Sequence, residues 1–139
     1  MLPRVRSVTI DDVRGAIVAA AVPLRLAVLF GSHARGVARD DSDVDVGIVP
    51  VDGELSHSLE LDLAARLSAS LRAEVDLVRL DRDDPLLAHE VARHGQCVYE
   101  GAPGAWAAFR ATAVSRWLEH EETFAPFRRR FLERVRNGL

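Results

Sequence analysis

FGSHARGVARDDSDVDVGIV, residues 30–49, combines a run of acidic residues with a pattern that is typical of a buried β-strand. In its second half, apolar residues alternate strictly with Asp43, Asp45 and Gly47, which predicts a strand with one apolar face. An unpaired carboxylate is costly to bury, so some charged group must compensate the acids beside this strand. A bound cation is the simplest compensating group.

Helix and strand patterns alternate on either side of this stretch. The predicted elements are a helix over about 9–22, strands over 24–30 and 42–50, a helix over 54–71, a strand over 73–80, a helix over 84–95, a short strand over 96–100 and a helical region over about 104–137. The first two strands are too close in sequence for a βαβ crossover, so we expect antiparallel neighbours joined by a small turn or helix. Pro126 predicts a kink or break in the last helix. The fold class is therefore α/β (α+β), a small mixed β-sheet with helices packed on it.

Composition narrows the class of protein. The 139 residues suit a single domain, and 48% hydrophobic with 28% charged residues is ordinary for a soluble globular protein. The net charge of −3 argues against a dedicated nucleic-acid binder, which is usually basic. The sequence lacks a signal-peptide pattern and a membrane-spanning run, which predicts a cytoplasmic protein. All eighteen basic residues are Arg, which excludes Schiff-base chemistry, and we expect the single Cys97 to be a buried, inert thiol.

Charge is distributed unevenly along the chain. Residues 1–100 contain 11 Arg and 17 acidic residues, a net charge of −6, whereas residues 101–139 contain 7 Arg and 4 Glu, a net charge of +3. Aromatic residues alternate with Arg in this last region, which favours packing on the sheet or on a partner over stacking on nucleic-acid bases.

Three carboxylates form a candidate metal site. Asp43 and Asp45 are two residues apart on a strand and therefore project from the same face. Asp76, in the strand-like AEVDLVRL, joins them if its strand neighbours the second one. Mg²⁺ favours such oxygen ligands, and three carboxylates around two metal ions suit in-line displacement at phosphorus.

A candidate phosphate site precedes the acids. Gly31 lets the backbone approach a ligand closely, and a helical turn that opens there would direct free N–H groups at a phosphate. The hydroxyl of Ser32 adds a further donor.

Gly31-Ser32, ten intervening residues and then Asp43-Val44-Asp45 match the signature of the DNA polymerase β-like nucleotidyltransferases. The string GSHARGVARDDSDVDVGIV resembles the small bacterial branch called minimal nucleotidyltransferases, and the similarity covers about residues 24–101. The resemblance implies a nucleotidyltransferase fold in one domain over 1–139, with its core over about 24–101.

The resemblance also implies roles for individual residues. Gly31 and Ser32 would hold the β- and γ-phosphates of a nucleoside triphosphate, with Arg35, Arg39 and Ser42 as further nucleotide-binding candidates. Asp43 and Asp45 would ligate two Mg²⁺ ions. Asp76 would share one of these ions and help to activate the attacking hydroxyl.

Minimal nucleotidyltransferases act as antitoxins beside HEPN-type ribonuclease toxins. The resemblance therefore implies transfer of AMP from ATP to a tyrosine of a cognate HEPN toxin, with ATP as substrate and the toxin as protein partner. Two alternatives stay open: an antitoxin that only binds its toxin, with a vestigial nucleotide site, and a stand-alone transferase that modifies a small molecule. The resemblance leaves the oligomeric state open.

Other interpretations of the same residues are less specific. DDSDVDVG resembles a calcium loop, but Val46 occupies the place where that loop requires Gly. The acids could also form a solvated sheet edge, and Asp76 could simply pair with an Arg. His89 and His94 are five residues apart, which does not align them on a helix face as metal ligands, and His33 has no assigned role.

Overall fold

A computed structural model describes residues 8–39, 41–52 and 55–137 of the chain. The elements are α1 (Ile10–Ala20), β1 (Leu24–Phe30), α2 (Gly31–Ala34), β2 (Val44–Pro50), α3 (His57–Leu71), β3 (Val75–Arg79), α4 (Pro85–His94), β4 (Gln96–Glu100) and α5 (Ala105–Arg136). This order confirms the predicted sequence of helices and strands, and α2 is the small helix expected between the first two strands. Residues 53 and 54, where we expected α3 to begin, lie outside the described residues.

The sheet has four strands in the order β3-β2-β1-β4. β1 pairs antiparallel with β2 and with β4, whereas β2 pairs parallel with β3. The predicted mixed sheet is therefore confirmed. Because β2 and β3 are parallel, their N-terminal ends lie at the same edge of the sheet, where β1 ends and α2 begins.

Helices pack on both faces of the sheet. On one face, α1 and α3 cover the strands with apolar side chains that include Ile17, Leu63 and Leu67. On the other face, α4 and α5 cover Leu26, Val28 and Leu80. Alternate side chains of β2 point to opposite faces of the sheet. Val44, Val46 and Ile48 are fully buried on the face that α1 and α3 cover.

Local signals explain where the first helices begin. Thr9 caps α1 through a reciprocal pair of hydrogen bonds with Asp12, which satisfies two backbone N–H groups at the helix start. Ser56 caps α3 by accepting a hydrogen bond from the backbone N–H of Leu59.

Two expectations need correction. The predicted break at Pro126 is wrong, because the last helix continues through this residue, although Pro cannot donate a hydrogen bond to the carbonyl four residues earlier. Cys97 is half-buried rather than buried, and this partial burial raises the pKa of its thiol. None of the helices in the described part of the chain combines the length and the apolar composition that crossing a bilayer requires.

Candidate active site

Asp45 and Asp76 are register partners on the neighbouring parallel strands β2 and β3. Val44, which precedes Asp45, pairs in the same register with Val75, and both valines are buried. Because side chains alternate along a strand, Asp45 and Asp76 project together from the opposite face. Asp76 is exposed, Asp45 is partly buried, and Asp76 makes no salt bridge with any described Arg.

Like charges are crowded around Asp45. Burial is the largest cause that raises the pKa of Asp45, followed by the negative charges of Asp76 and Asp43. His33 acts in the opposite direction and lowers this pKa. Asp43 and Asp76 therefore both lie close enough to repel the charge of Asp45, and this repulsion favours a cation or a proton beside Asp45.

Gly31 lies directly against Asp45. The backbone of Gly31 has a φ of +72°, and a Cβ at this position would overlap with Oδ2 of Asp45 and lie 3.0 Å from its Cγ. Only glycine fits here, for reasons of both backbone conformation and space. The start of α2 therefore adjoins the carboxylate of Asp45, in agreement with the pairing of Phe30 with Asp45 across β1 and β2.

The helical turn α2 begins at this corner. No side chain caps its N-terminus, and the N–H of Arg35 donates to the carbonyl of Gly31 at 3.2 Å. Ser32 is partly exposed, and its carbonyl accepts a hydrogen bond from the N–H of Val37 at 3.0 Å. The turn that carries Ser32 thus begins at the glycine that contacts Asp45.

The chain returns from α2 to β2 through a tight turn. The hydroxyl of Ser42 accepts a hydrogen bond from the N–H of Arg39 at 2.8 Å, and the N–H of Ser42 donates to the carbonyl of Arg39 at 3.0 Å. In the structure, this hydroxyl therefore holds the turn. Arg35 and Arg39 are exposed and form no salt bridge with another described residue, so both guanidinium groups are available to an anionic ligand.

His33 is a residue near this site for which no role was predicted. Its Nε2 lies 3.2 Å from the carbonyl oxygen of Ser42, and since a carbonyl only accepts, Nε2 donates. Its Nδ1 is buried and has no hydrogen-bond partner among the residues that the structure describes. His33 thus connects the turn that carries Gly31 and Ser32 to the entrance of β2. A histidine inside the Gly-Ser motif was the only available signal.

The carboxylates suit a divalent metal that also binds a nucleotide. Among the described residues, no three His, Cys, Asp or Glu side chains form a complete metal site by themselves. Mg²⁺ commonly uses one or two carboxylates and takes its other ligands from water and substrate phosphates. The crowding of negative charge at Asp45 fits this kind of ion. The regular strand that starts at Val44 does not fit the flexible loop that calcium would require.

His89 of α4 packs against an aromatic ring of α5. His89 stacks on Trp117 of α5, with ring centroids 3.9 Å apart and an interplanar angle of 10°. Burial lowers the pKa of His89. This histidine therefore packs α4 against α5.

Comparison with known proteins identifies the class. Residues 16–103 match the family model described as polymerase beta, nucleotidyltransferase. This match spans more than half of the chain and includes Gly31, Ser32 and all three carboxylates. The chain therefore belongs to the polymerase β nucleotidyltransferase family.

One curated relative matches about half of the chain. The protein adenylyltransferase MntA of Shewanella oneidensis is 33% identical over 73 residues, which cover 52% of each chain. The chain thus spans about half the length of this curated relative.

Solved structures share the fold. A toxin–antitoxin complex with AMP-PNP has a TM-score of 0.74 at 21% identity, covering 89% of this chain and 98% of the other. A structure of tri-AMPylated Shewanella oneidensis HEPN toxin in complex with MNT antitoxin gives a TM-score of 0.69 at 20% identity, covering 89% and 99%. At these identities the similarity establishes the fold alone.

Proposed function

We propose that the protein is a Mg²⁺-dependent adenylyltransferase that transfers AMP from ATP to a tyrosine hydroxyl of a HEPN-type toxin and thereby acts as an antitoxin. The observation that carries this proposal is the pairing of Asp45 with Asp76 across β2 and β3, with Gly31 directly against Asp45. A carboxylate cluster beside free backbone N–H groups suits a metal-bound triphosphate.

Each residue has a role in this reaction. Gly31 and Ser32 bind the β- and γ-phosphates, and the exposed Arg35 and Arg39 neutralise further phosphate charge. Ser42 shapes the nucleotide site by holding the turn before β2. Asp43, Asp45 and Asp76 would hold two Mg²⁺ ions, which when bound would neutralise charge that develops on the phosphates.

The transfer is an in-line displacement. The tyrosine oxygen attacks the α-phosphorus, a new P–O bond forms, and the bond between the α-phosphorus and the oxygen bridging to the β-phosphate breaks. Pyrophosphate leaves, and Asp76, which is exposed on β3, accepts the hydroxyl proton.

The choice of a protein acceptor is supported by the relatives. The curated relative is described as a protein adenylyltransferase, and a structural neighbour contains an AMPylated HEPN toxin. The C-terminal end of α5 offers a contact surface for such a partner, because Phe127 and Phe131 are both 66% exposed among arginines. We place the pair in the cytoplasm, in keeping with the proposed partner.

The decisive experiment incubates the protein with a HEPN protein encoded beside it, ATP labelled at the α-phosphate, and Mg²⁺. We expect label on a toxin tyrosine, loss of labelling in EDTA and loss of labelling with Asp43→Asn. Asp52→Asn, an exposed acid at the far end of β2, is the matched control and should label normally.

Two outcomes would replace this proposal. If Asp43→Asn silences the toxin as well as the native protein without any label, the protein is an antitoxin that acts by binding alone. If no toxin is labelled but a small hydroxylated molecule is, the protein is a stand-alone transferase.

A further inference from the structure

The outer face of α5 carries an exposed apolar seam. Val114, Leu118 and Leu132 are 50%, 65% and 53% exposed. Leu118, Ala125 and Leu132 are spaced by seven residues and therefore lie on one side of the helix. Ala113 is buried against α4, so the inner face of α5 already has its partner, whereas the leucines of the outer face stay exposed among the described residues.

The C-terminal half of α5 needs packing that a single chain does not supply. Every residue from Pro126 to Arg134 is exposed. A helical segment as short as the half of α5 that follows Pro126 is marginally stable in water without tertiary packing, and the internal Pro destabilises the helix further. A second molecule that covers the seam would provide the missing packing.

Charges along the seam show which molecule fits. Arg128 Nη1 lies 3.6 Å from Glu121 Oε1, so both side chains flank the seam on the same side. Ala125 lies about midway between them. The N-terminal side of Ala125 carries Glu119 and Glu121, whereas the C-terminal side is dominated by arginines. The acidic end of this seam can therefore lie beside the basic end of the same seam on an antiparallel copy of the helix.

We propose that α5 associates with α5 of a second copy of this chain, antiparallel, about a two-fold axis near Ala125. This axis brings Leu118 opposite Leu132 of the second copy and Glu121 opposite its Arg128, each pair occurring twice. Residues 114–136 would be paired over about 33 Å. Phe127 is half a helical turn away from Leu118, so the face proposed for the toxin stays free.

The first test measures the oligomeric state of the full chain, without nucleotide or toxin, by sedimentation over a range of concentrations. We expect a concentration-dependent dimer that weakens at least tenfold with Leu118→Ser or Leu132→Ser. Leu59→Ser and Leu61→Ser on α3 remove equally exposed leucines and should leave the dimer unchanged.

The second test uses charge reversal. Glu121→Arg and Arg128→Glu should each weaken self-association several-fold, and an equimolar mixture of the two variants should form a heterodimer as tight as the native dimer. The intrahelical pair is broken in both variants, so recovery in the mixture would report contacts between copies. Failure of the mixture to recover would overturn the proposal.

Crosslinking tests the direction of pairing. In a Cys97→Ser background, a mixture of Leu118→Cys and Leu132→Cys chains should form disulfide-linked dimers under oxidation, whereas Leu118→Cys alone should not. Self-crosslinking of Leu118→Cys alone, a monomer at every concentration, or a dimer indifferent to all these substitutions would overturn the proposal. Since no activity is measured, failure here leaves the adenylyltransferase proposal standing.

Discussion

Asp45 and Asp76 are register partners across the parallel pair β2 and β3, and Gly31, the first residue of α2, lies directly against Asp45. The fold therefore concentrates negative charge at the edge of the sheet where the proposed phosphate site begins. Such crowding is unfavourable in the absence of a ligand, and it favours a bound cation. This relationship yields opposite predictions for stability and activity.

Replacing Asp45 with Asn should stabilise the metal-free protein and abolish its activity. The neutral amide removes repulsion from Asp43 and Asp76 as well as the cost of partly burying a charge. After screening by solvent, we expect a gain of roughly 0.5 kcal/mol at pH 7. Thermal unfolding in EDTA measures the gain, and AMP transfer should fall at least 100-fold.

Asp41→Asn is the control for this change. Asp41 is exposed in the same connection and lies before β2, so its substitution should alter neither stability nor transfer. A destabilised Asp45→Asn protein would contradict the interpretation that the acids repel one another.

Replacing Gly31 with Ala should impair the site through both space and backbone conformation. The positive φ strains any L-residue by about 1–2 kcal/mol. The added Cβ would also displace Asp45. We expect lower stability and at least tenfold weaker binding of Mg²⁺ and AMP-PNP, measured by calorimetry.

Gly104→Ala separates these two effects. Gly104 has a φ of +80° but no atom within 4 Å of an added Cβ. This variant should lose stability through strain alone and keep full nucleotide affinity. Equal losses of affinity in both variants would show that contact with Asp45 is not the cause.

The part of the site that lies on strands was predictable from the sequence. Strict alternation around Val44 and Val46 predicted which face of β2 carries the carboxylates, because the side-chain period of a strand is two. The same periodicity predicted β3, and with it the position of Asp76. The sequence did not predict that β2 pairs with β3, because pairing between distant segments leaves no local signal. The expected position of Asp76 beside the other acids depended on this pairing.

Features that depend on tertiary contacts were not predictable. Gly31 was expected to allow close approach of a ligand, whereas the structure shows that it also admits the side chain of Asp45. His33 had no assigned role because its hydrogen bond to Ser42 spans a loop. Pro126 favoured a kink or break, yet α5 continues because one missing hydrogen bond does not end a long helix.

His33 should act as a positioning residue for the nucleotide site. His33→Leu removes the hydrogen bond to the carbonyl of Ser42 and also removes the buried, unpaired Nδ1. These effects on stability oppose each other, so we expect little change in unfolding temperature. We expect three- to tenfold weaker AMP-PNP binding, because the turn before β2 is no longer tied to α2.

His33→Gln supplies the control for this role. Gln keeps a donor at a similar reach and should recover most of the nucleotide affinity. A loss of affinity that appears equally in the Leu and Gln variants would argue against positioning through the hydrogen bond to Ser42.

The ion pairs of Arg79 should make stability depend on pH. Arg79 is largely buried and donates to both carboxylate oxygens of Asp81, at 2.8 and 2.6 Å, and to Glu60 at 2.7 Å. The hydrogen bonds from Arg79 lower the pKa of Asp81 from 3.8. A lowered pKa in the folded state stabilises the protein above about pH 4, and this contribution is lost as the pH falls and Asp81 is protonated.

Asp81→Asn should therefore lower the free energy of unfolding by about 1–2 kcal/mol at pH 7. The difference from the native protein should shrink steadily below about pH 4, because native Asp81 then also loses its charge. Urea unfolding at several pH values measures this difference. Asp62→Asn breaks a pair with Arg66 in which both side chains are more than half exposed, so it should cost under about 0.5 kcal/mol at any pH. A pH-independent difference for Asp81→Asn would show that the charge of the Asp81 carboxylate does not contribute to stability. The contact with Arg79 would then stabilise the protein through packing and neutral hydrogen bonding alone.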